Sequence, residues 1–221
     1  MKGVKPVQIF DQPQSKPRGK QKTHLAIIGA AQAIIADGRS SASIQEITER
    51  AGVGFGSFYN HFESKEELFA AAISATLDAF DEFRDRVVAG LTDPAEVFCV
   101  SFRMSGRLQR VQPQLVHILL NSGTSIWTMD RRLTPRAFGD IRLGITTGRF
   151  TVADPKVAMM LVGGAVLGMF QYLESTPTAD GDAVADDCAE AILRLLGMES
   201  GEAHRLAHAE LTPNMRAFLE P

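Results

Sequence analysis

The sequence has few cysteines and lacks an apolar run that would clearly cross a membrane. Only Cys99 and Cys188 are cysteines among 221 residues, and no CxxC spacing occurs. This argues against a disulfide framework and favours buried free thiols in a reducing compartment. An uncharged and strongly apolar run of 17 residues, 157–173, contains two adjacent glycines. At that length, burial inside protein is favoured over a bilayer span.

The start of the chain also lacks the apolar core of a secretory signal. Its first twenty residues are polar and rich in proline, and residues 1–21 show little periodicity, which is typical of a mobile tail. We therefore expect a soluble, cytoplasmic protein with no membrane partner.

An overall excess of positive charge is missing as well, since 23 Lys and Arg face 26 Asp and Glu for a net charge of −3. This net charge argues against a uniformly basic nucleic-acid binder. The charge is unevenly distributed, however: residues 1–62 hold eight basic and four acidic side chains, and the remainder holds 15 basic and 22 acidic ones. This asymmetry indicates an amino-terminal part that meets an anion, although a solvated basic tail would give the same sum.

Alternation typical of β-strands is absent, and so are a phosphate loop, a GxGxxG motif and a recognisable Ser-His-Asp arrangement. Helical periodicity dominates instead, and we predict an all-α chain that is not an enzyme. The predicted helices cover 23–37, 43–50, 54–60, 64–88, 94–110, 113–121, 135–148, 155–174, 180–197 and, as a short final element, 201–210. The first helix is predicted to bury a stripe formed by Leu25, Ile28, Ala31 and Ile35.

Helix starts are marked by capping signals. Ser43 with Glu46, and Ser64 with Glu67, match capping boxes. Three further starts place a capping side chain before a proline, at Asp93-Pro94, Thr134-Pro135 and Asp154-Pro155. The helix that begins at residue 43 should end at Gly52, because a tight turn there requires a residue that tolerates positive φ.

Two short helices around Gly52 predict a helix-turn-helix. Phe58 and Phe62, four residues apart, should point into the core. The opposite face would then present Phe55, Gly56, Ser57, Tyr59, Asn60 and His61. This mixture of hydroxyl, amide and imidazole groups suits a DNA groove, whereas the alternative is a helical hairpin with a merely polar surface.

The stretch "SIQEITERAGVGFGSFYNHFESKEELF", residues 43–69, carries a family resemblance. Together with its flanks, residues 22–70, it resembles the DNA-binding domain of TetR-family transcriptional regulators. The resemblance implies an amino-terminal three-helix helix-turn-helix domain and a carboxy-terminal helical domain for ligand binding and dimerisation. We expect a flexible basic tail at 1–21, the DNA-binding domain at 22–68 and the effector-binding and dimerisation domain at 69–221.

The resemblance also implies roles for single residues. Ser43 would cap the second helix and aim its first N–H groups at a phosphate. Contacts to the DNA backbone are implied for Ser57, Tyr59 and Lys65, and contacts to base edges or the backbone around them for Phe55, Gly56, Asn60 and His61. The family often has Arg, Lys or Gln where this chain has Phe55, which would contact either a thymine methyl or the sugar-phosphate edge. The basic tail residues Lys16, Arg18, Lys20 and Lys22 would add phosphate or minor-groove contacts, or none.

For the carboxy-terminal domain, the resemblance implies a small-molecule pocket among its middle helices and a homodimer built on the helices 155–174 and 180–197. Pocket candidates are Phe80, Phe98, Phe102, Arg103, Leu119, Trp127, Phe138, Met169 and Tyr172, which favour a largely apolar effector. Gly163, Gly164 and Gly168 would allow close approach of a partner helix. Burial of this apolar helix inside the monomer is the competing account.

The sequence indicates no cofactor and no metal site. His204 and His208 have the i, i+4 spacing of zinc ligands, but no acid or cysteine is arranged in the sequence to complete a site, so an ordinary terminal helix is predicted. The function implied is a homodimeric repressor that binds a near-palindromic double-stranded DNA operator and is released by its effector. The alternative is a helical ligand-binding or scaffold protein that does not bind DNA.

Overall fold

The computed structural model describes residues 19–122 and 133–219, and every regular element in those ranges is an α-helix. The helices are α1 (Gly19–Ala36), α2 (Ile44–Arg50), α3 (Phe55–Phe58), α4 (Lys65–Val87), α5 (Pro94–Val111), α6 (Pro113–Ser122), α7 (Leu133–Thr146), α8 (Pro155–Ser175), α9 (Gly181–Leu195), α10 (Ser200–Ala207) and α11 (Pro213–Leu219). The all-α prediction is confirmed. The chain divides into two compact units, which among the described residues are 19–79 with 112–122, and 80–111 with 133–219.

In the first unit, α1 packs against both α2 and α6. Contact on two sides buries adjacent pairs of residues, so Ile27 is buried beside Ile28, and Ile34 beside Ile35. The predicted inclusion of Leu25 in the buried stripe is wrong, because its side chain is 52% exposed. Leu25 lies one helical turn before the exposed Gly29, on the side of α1 that neither partner covers.

The second unit is built around α5, which contacts α7, α8, α9, α10 and α11. The closest approach is to α9 at Gly106, where a Cβ atom added to the glycine would lie 2.3 Å from the Cβ atom of Ala185. Only glycine allows the two helices to cross at this distance. The crossing brings polar residues of α5 within reach of α9, as at Arg103 and Asp186.

Capping follows the sequence signals at Asp93 and Asp154 and, with a shift, at Ser64, whereas the predicted start at Thr134-Pro135 is wrong because α7 begins earlier, at Leu133. The Asp93 carboxylate accepts a hydrogen bond from the Ala95 N–H at 3.1 Å, and the Asp154 carboxylate accepts one from Lys156 at 2.8 Å. At the start of α4, the Ser64 hydroxyl accepts from the Glu67 N–H at 3.1 Å. The Glu67 carboxylate returns its bond to the N–H of residue 63, one residue earlier than a standard capping box.

Helix α11 was not predicted, because seven residues with a single buried position carry little periodic signal. Its Met215 is 1% exposed and packs with Val87, Val100 and Met104 in a buried apolar cluster. The predicted pocket residue Phe80 is half-buried against the same cluster. Helix α11 therefore closes the part of the core formed by the end of α4 and the middle of α5.

Among the described residues, one helix, α8, is long and apolar enough to meet the length and composition test for a membrane span. Only 39% of its most apolar window is buried. Such a helix is weak evidence for a membrane, since core helices pass the same test.

Candidate nucleic-acid interface

The predicted capping box at the start of α2 is confirmed. The Ser43 hydroxyl accepts a hydrogen bond from the Glu46 N–H at 3.2 Å, and the Glu46 carboxylate accepts one from the Ser43 N–H at 2.7 Å. Arg39 also donates to Glu46 at 2.6 Å. The hydrogen bonds from Ser43, aided by the Arg39 charge, hold the pKa of Glu46 below its usual range. The first turn of α2 is therefore fixed by reciprocal bonds.

The turn after α2 depends on glycine. Gly52 has a φ of +67°, and the next residue, Val53, donates its N–H to the Thr48 carbonyl at 3.0 Å. A Cβ at Gly52 would meet nothing within 4 Å. Glycine is required here for its backbone conformation and not for space.

Helix α3 spans four residues, so the prediction of a helix over 54–60 was too long. Gly54 is its N-cap and makes no side-chain capping bond, and Tyr59 already lies at its C-cap. A helix this short is held by its buried anchors, since Phe58 is 0% exposed and Phe62 is 4% exposed. The predicted core positions of these two phenylalanines are confirmed.

The opposite side of α3 and the turn after it face outward, as predicted. Phe55 is 52% exposed and Tyr59 is 57% exposed, and their rings meet edge to face with centroids 5.7 Å apart. The predicted contact residues Gly56 and Asn60 are exposed, whereas Ser57 and His61 are half-buried. The structure thus groups six of the predicted DNA contacts on one short segment; their contacts with DNA remain predictions.

His61 lies beside the start of α1. The ring centroids of His24 and His61 are 5.5 Å apart, and His24 stacks on Phe62 with centroids 4.9 Å apart. Burial lowers the pKa of His61, and the nearby positive charges of His24 and Lys20 lower it further. A neutral imidazole is therefore favoured, which offers one hydrogen-bond donor and one acceptor to a base edge or phosphate.

Lys65, a predicted backbone contact, is half-buried and tied into its own domain. Its ammonium donates to the carbonyls of Ser40 and Ala42 at 3.2 and 3.3 Å, and lies 5.7 Å from the centroid of the Phe69 ring. These bonds join the start of α4 to the loop before α2. Lys65 therefore positions α2, whatever contact it makes with a phosphate.

The predicted effector-pocket residues are spread over several places. Phe98, Phe102 and Met169 are buried in the second unit, and the rings of Phe98 and Phe102 are stacked with centroids 6.4 Å apart. Tyr172 is 49% exposed on α8, so its ring does not line an enclosed pocket of the protomer. Phe138 is half-buried in the second unit, Leu119 is buried in the first, and Trp127 lies outside the described residues.

Arg103, also assigned to the pocket, belongs to a buried ion cluster. Its guanidinium donates twice to Asp186 on α9, at 2.9 and 3.1 Å, and Arg107 contacts the same carboxylate at 2.8 Å. Burial alone would raise the pKa of Asp186, but the hydrogen bonds from Arg103 and Arg107 outweigh it and hold that pKa below its usual range. Sequence reasoning missed Asp186, which lies 83 residues from Arg103 without a local signal.

A cleft of about 520 Å³ lies between the end of α5, the end of α8 and the start of α9. Its walls include Arg107, Arg110, Leu173 and Asp182. Among the described residues, no predicted pocket residue lines this cleft.

Two family models match the chain. The model described as bacterial regulatory proteins of the tetR family matches residues 27–72, which contain the capped α2, the glycine turn and α3. The model of the tetracyclin repressor-like C-terminal domain matches residues 93–209, more than half of the chain. The chain belongs to the TetR family. The resemblance seen in the sequence is therefore confirmed, as is the combination of a helix-turn-helix domain with a helical ligand-binding domain.

Solved structures with a similar fold agree with this assignment. The structure of RolR in complex with resorcinol is 31% identical with a TM-score of 0.70, and the match covers 88% of this chain and 97% of that one. RolR without ligand gives 30% identity, a TM-score of 0.67 and coverage of 85% and 97%. FadR from Bacillus subtilis in complex with stearoyl-CoA, at 18% identity, a TM-score of 0.61 and coverage of 78% and 97%, supports the fold alone.

No curated protein matched the chain in the sequence comparison. The family models and structures nevertheless establish its class. This TetR-family protein is a ligand-responsive, DNA-binding transcriptional regulator.

Helix α8 of this TetR-family chain carries an exposed apolar face. Met160 is 63% exposed, and the other large apolar side chains exposed on α8 are Val157, Leu161 and Tyr172. Gly164 and Gly168 are also exposed, and a Cβ at either would meet nothing within 4 Å. Burial inside the protomer therefore does not account for this face of α8, although the opposite side, with Phe170, is buried.

Proposed function

We propose that the protein is a cytoplasmic homodimeric repressor that occupies a near-palindromic operator until a small effector binds. The observation that carries this proposal is the outward presentation of Phe55 and Tyr59 around the fully buried Phe58. In a two-fold dimer, two copies of α3 would enter successive major grooves about 34–36 Å apart.

Within each half-site, the roles divide by chemistry. Ser43, Ser57, Tyr59 and Lys65 hold the domain on phosphates, and Phe55, Gly56, Asn60 and His61 meet base edges or the adjoining backbone. Because α3 and its turn contain no Lys or Arg, base readout relies on amide, imidazole and aromatic groups. Phosphate contacts make the affinity strongly dependent on salt.

Replacing Tyr59 tests the DNA-binding surface. We expect Tyr59→Ala to lower operator affinity by about tenfold to a hundredfold, because it removes a hydroxyl that would bond a charged phosphate. Since the side chain is uncharged, the slope of log affinity against log salt should stay that of the wild type. The measurement is fluorescence anisotropy on a duplex selected from genomic fragments that the purified protein retains.

Leu143→Ala is the matched control, since Leu143 is 51% exposed on α7 in the second unit. It should leave operator affinity unchanged, and circular dichroism should show that both variants are folded. If no genomic fragment is retained, or if the wild-type complex is insensitive to salt, the alternative of a helical ligand-binding protein without DNA is supported instead.

For the effector, we propose a small ring compound with an apolar body and few polar groups. RolR, bound to resorcinol, is 31% identical over most of this chain. The buried aromatic pair Phe98 and Phe102, with Met169, supplies apolar surface in the second unit. Helix α4 contributes residues to both units, so it is the continuous element through which effector binding would act on the DNA-binding domain.

The effector proposal predicts a selective response. Resorcinol should raise the Tm of the protein and release it from the selected duplex, because a ligand favours the state that it binds more tightly. Isovaleryl-CoA and stearoyl-CoA, tested at equal concentrations, should do neither. Release by an acyl-CoA and not by resorcinol would overturn the proposed effector class while leaving the DNA-binding proposal intact.

A further inference from the structure

Three potential metal ligands converge where α10 packs on α9. His204 Nδ1 lies 2.9 Å and His208 Nε2 lies 3.0 Å from the same oxygen, Oε2 of Glu190. The three ligand atoms all lie within 4.8 Å of one another. His204 lies within α10, and His208, one helical turn later, is the C-cap of that helix. Glu190 faces both histidines from α9.

We propose that Glu190, His204 and His208 form a site for a divalent transition-metal ion of the zinc class. Two imidazole nitrogens and one carboxylate oxygen are a donor set that zinc binds with three protein ligands, a solvent molecule completing the coordination. Zinc–nitrogen bonds of about 2.0–2.1 Å place neighbouring ligand atoms about 3.3 Å apart, so the two nitrogen–oxygen separations of 2.9 and 3.0 Å need to open only slightly. The ion would take the place of the two hydrogen bonds between the imidazoles and the carboxylate, with each neutral ring carrying its N–H on the nitrogen that does not bind the ion.

The charges around the proposed metal site include some that favour a cation and one that opposes it. Hydrogen bonds from His204 and His208 hold the pKa of Glu190 below its usual range, which keeps the carboxylate ionised. Asp187 places a second carboxylate 3.9 Å from His208 Nε2 and adds negative charge. Arg194 opposes the ion, since its guanidinium lies 3.8 Å from the other oxygen of Glu190, but its side chain is 57% exposed and free to move away.

The sequence pattern indicated two of the three ligands of this site. The i, i+4 spacing of His204 and His208 is visible along one helix, whereas Glu190 is 14 residues before His204 on the preceding helix. Packing of α10 on α9 through the fully buried Ala203 and Ala207 brings the carboxylate to the histidines. Because the sequence does not show that Glu190 lies beside the histidines, it predicts only an ordinary terminal helix.

Isothermal titration of tag-free protein with Zn²⁺, after treatment with EDTA, tests the site. We expect one ion per chain, no binding of Mg²⁺, and a loss of at least about tenfold in affinity in each of His204→Gln, His208→Gln and Glu190→Gln. His117→Gln, which alters a histidine in the first unit, should bind as the wild type does. Saturating Zn²⁺ should raise the Tm by roughly 5 °C or more in the wild type only.

The absorption spectrum of the Co²⁺-bound protein distinguishes this site from one that contains a cysteine ligand. The Co²⁺ form should lack a thiolate charge-transfer band, and Cys188→Ser should not change its spectrum. The proposal would be overturned by absence of Zn²⁺ binding, by site variants that bind Zn²⁺ as tightly as the wild type, or by a thiolate band that Cys188→Ser removes. Arg194→Gln should strengthen binding, because it removes the opposing charge.

Discussion

Asp186→Ala is expected to destabilise the protein by about 3–5 kcal/mol, because it leaves the buried Arg103 without its counter-charge and Arg107 with only the partly exposed Asp182. The Arg103 and Arg107 side chains are only 4% and 2% exposed, and both contact Asp186 directly. Both side chains lie between α5 and α9, which approach each other closely at Gly106. Chemical denaturation followed by circular dichroism measures the loss.

Two comparisons make this prediction specific. Asp187→Ala alters the next residue, whose side chain is 76% exposed. Measured in EDTA, it should lower the free energy of unfolding only slightly. A triple variant, Arg103→Met, Arg107→Met and Asp186→Leu, should recover most of the stability, because removing a whole buried ion cluster is far less costly than removing one member. A triple variant as unstable as Asp186→Ala would show that the cost comes from lost packing.

The same carboxylate predicts an acid dependence. The pKa of Asp186 is lower in the folded chain than its ordinary value of 3.8, so its contribution to stability is fully present above that value. As the pH falls further, through the folded-state pKa, the wild type loses this contribution. The difference in unfolding free energy between wild type and Asp186→Ala should therefore shrink in acid and be constant near neutral pH.

Local signals in the sequence predicted the helices and the outward face of α3, because capping boxes, proline starts and the i, i+4 pair Phe58 and Phe62 all act within a few residues. Errors arose where a distant element decides the outcome. Leu25 is exposed because α2 and α6 cover other sides of α1. Helix α11 was not predicted because it is held by one buried methionine, Met215, and the residues that pack around it.

The candidate sites show the same division between local and distant causes. Phe55 and Tyr59 could be assigned to a surface from one short stretch. The partner of Arg103, in contrast, is Asp186 in a helix 83 residues away, and no pattern in either helix identifies the pair. Lys65 was predicted from the family motif as a DNA contact, and the structure adds a positioning role through the carbonyls of Ser40 and Ala42.

Met160→Arg is expected to separate the proposed dimer and, with it, to lower operator affinity by roughly two to three orders of magnitude, toward the non-specific level. Met160 is the most exposed of the large apolar side chains on α8, at 63%. A charged side chain there is solvated in a lone protomer, so the fold should be unaffected, whereas in a two-fold interface it would be buried unpaired and would face its own copy. Sedimentation velocity and anisotropy with the selected duplex measure the two effects.

Leu143→Arg is the control for Met160→Arg, since it places the same charge at a 51% exposed leucine on α7. It should remain a dimer and keep its operator affinity. A monomeric Met160→Arg protein that binds the full operator as tightly as the wild type would show that each DNA-binding domain acts alone. A variant that stays dimeric would instead show that the dimer interface does not include Met160 of α8.

The expected outcome is the loss of dimerisation and of operator affinity together. It would link the exposed apolar face of α8 to DNA recognition through the pairing of two half-sites, because a single α3 with no basic side chain cannot supply specific affinity by itself.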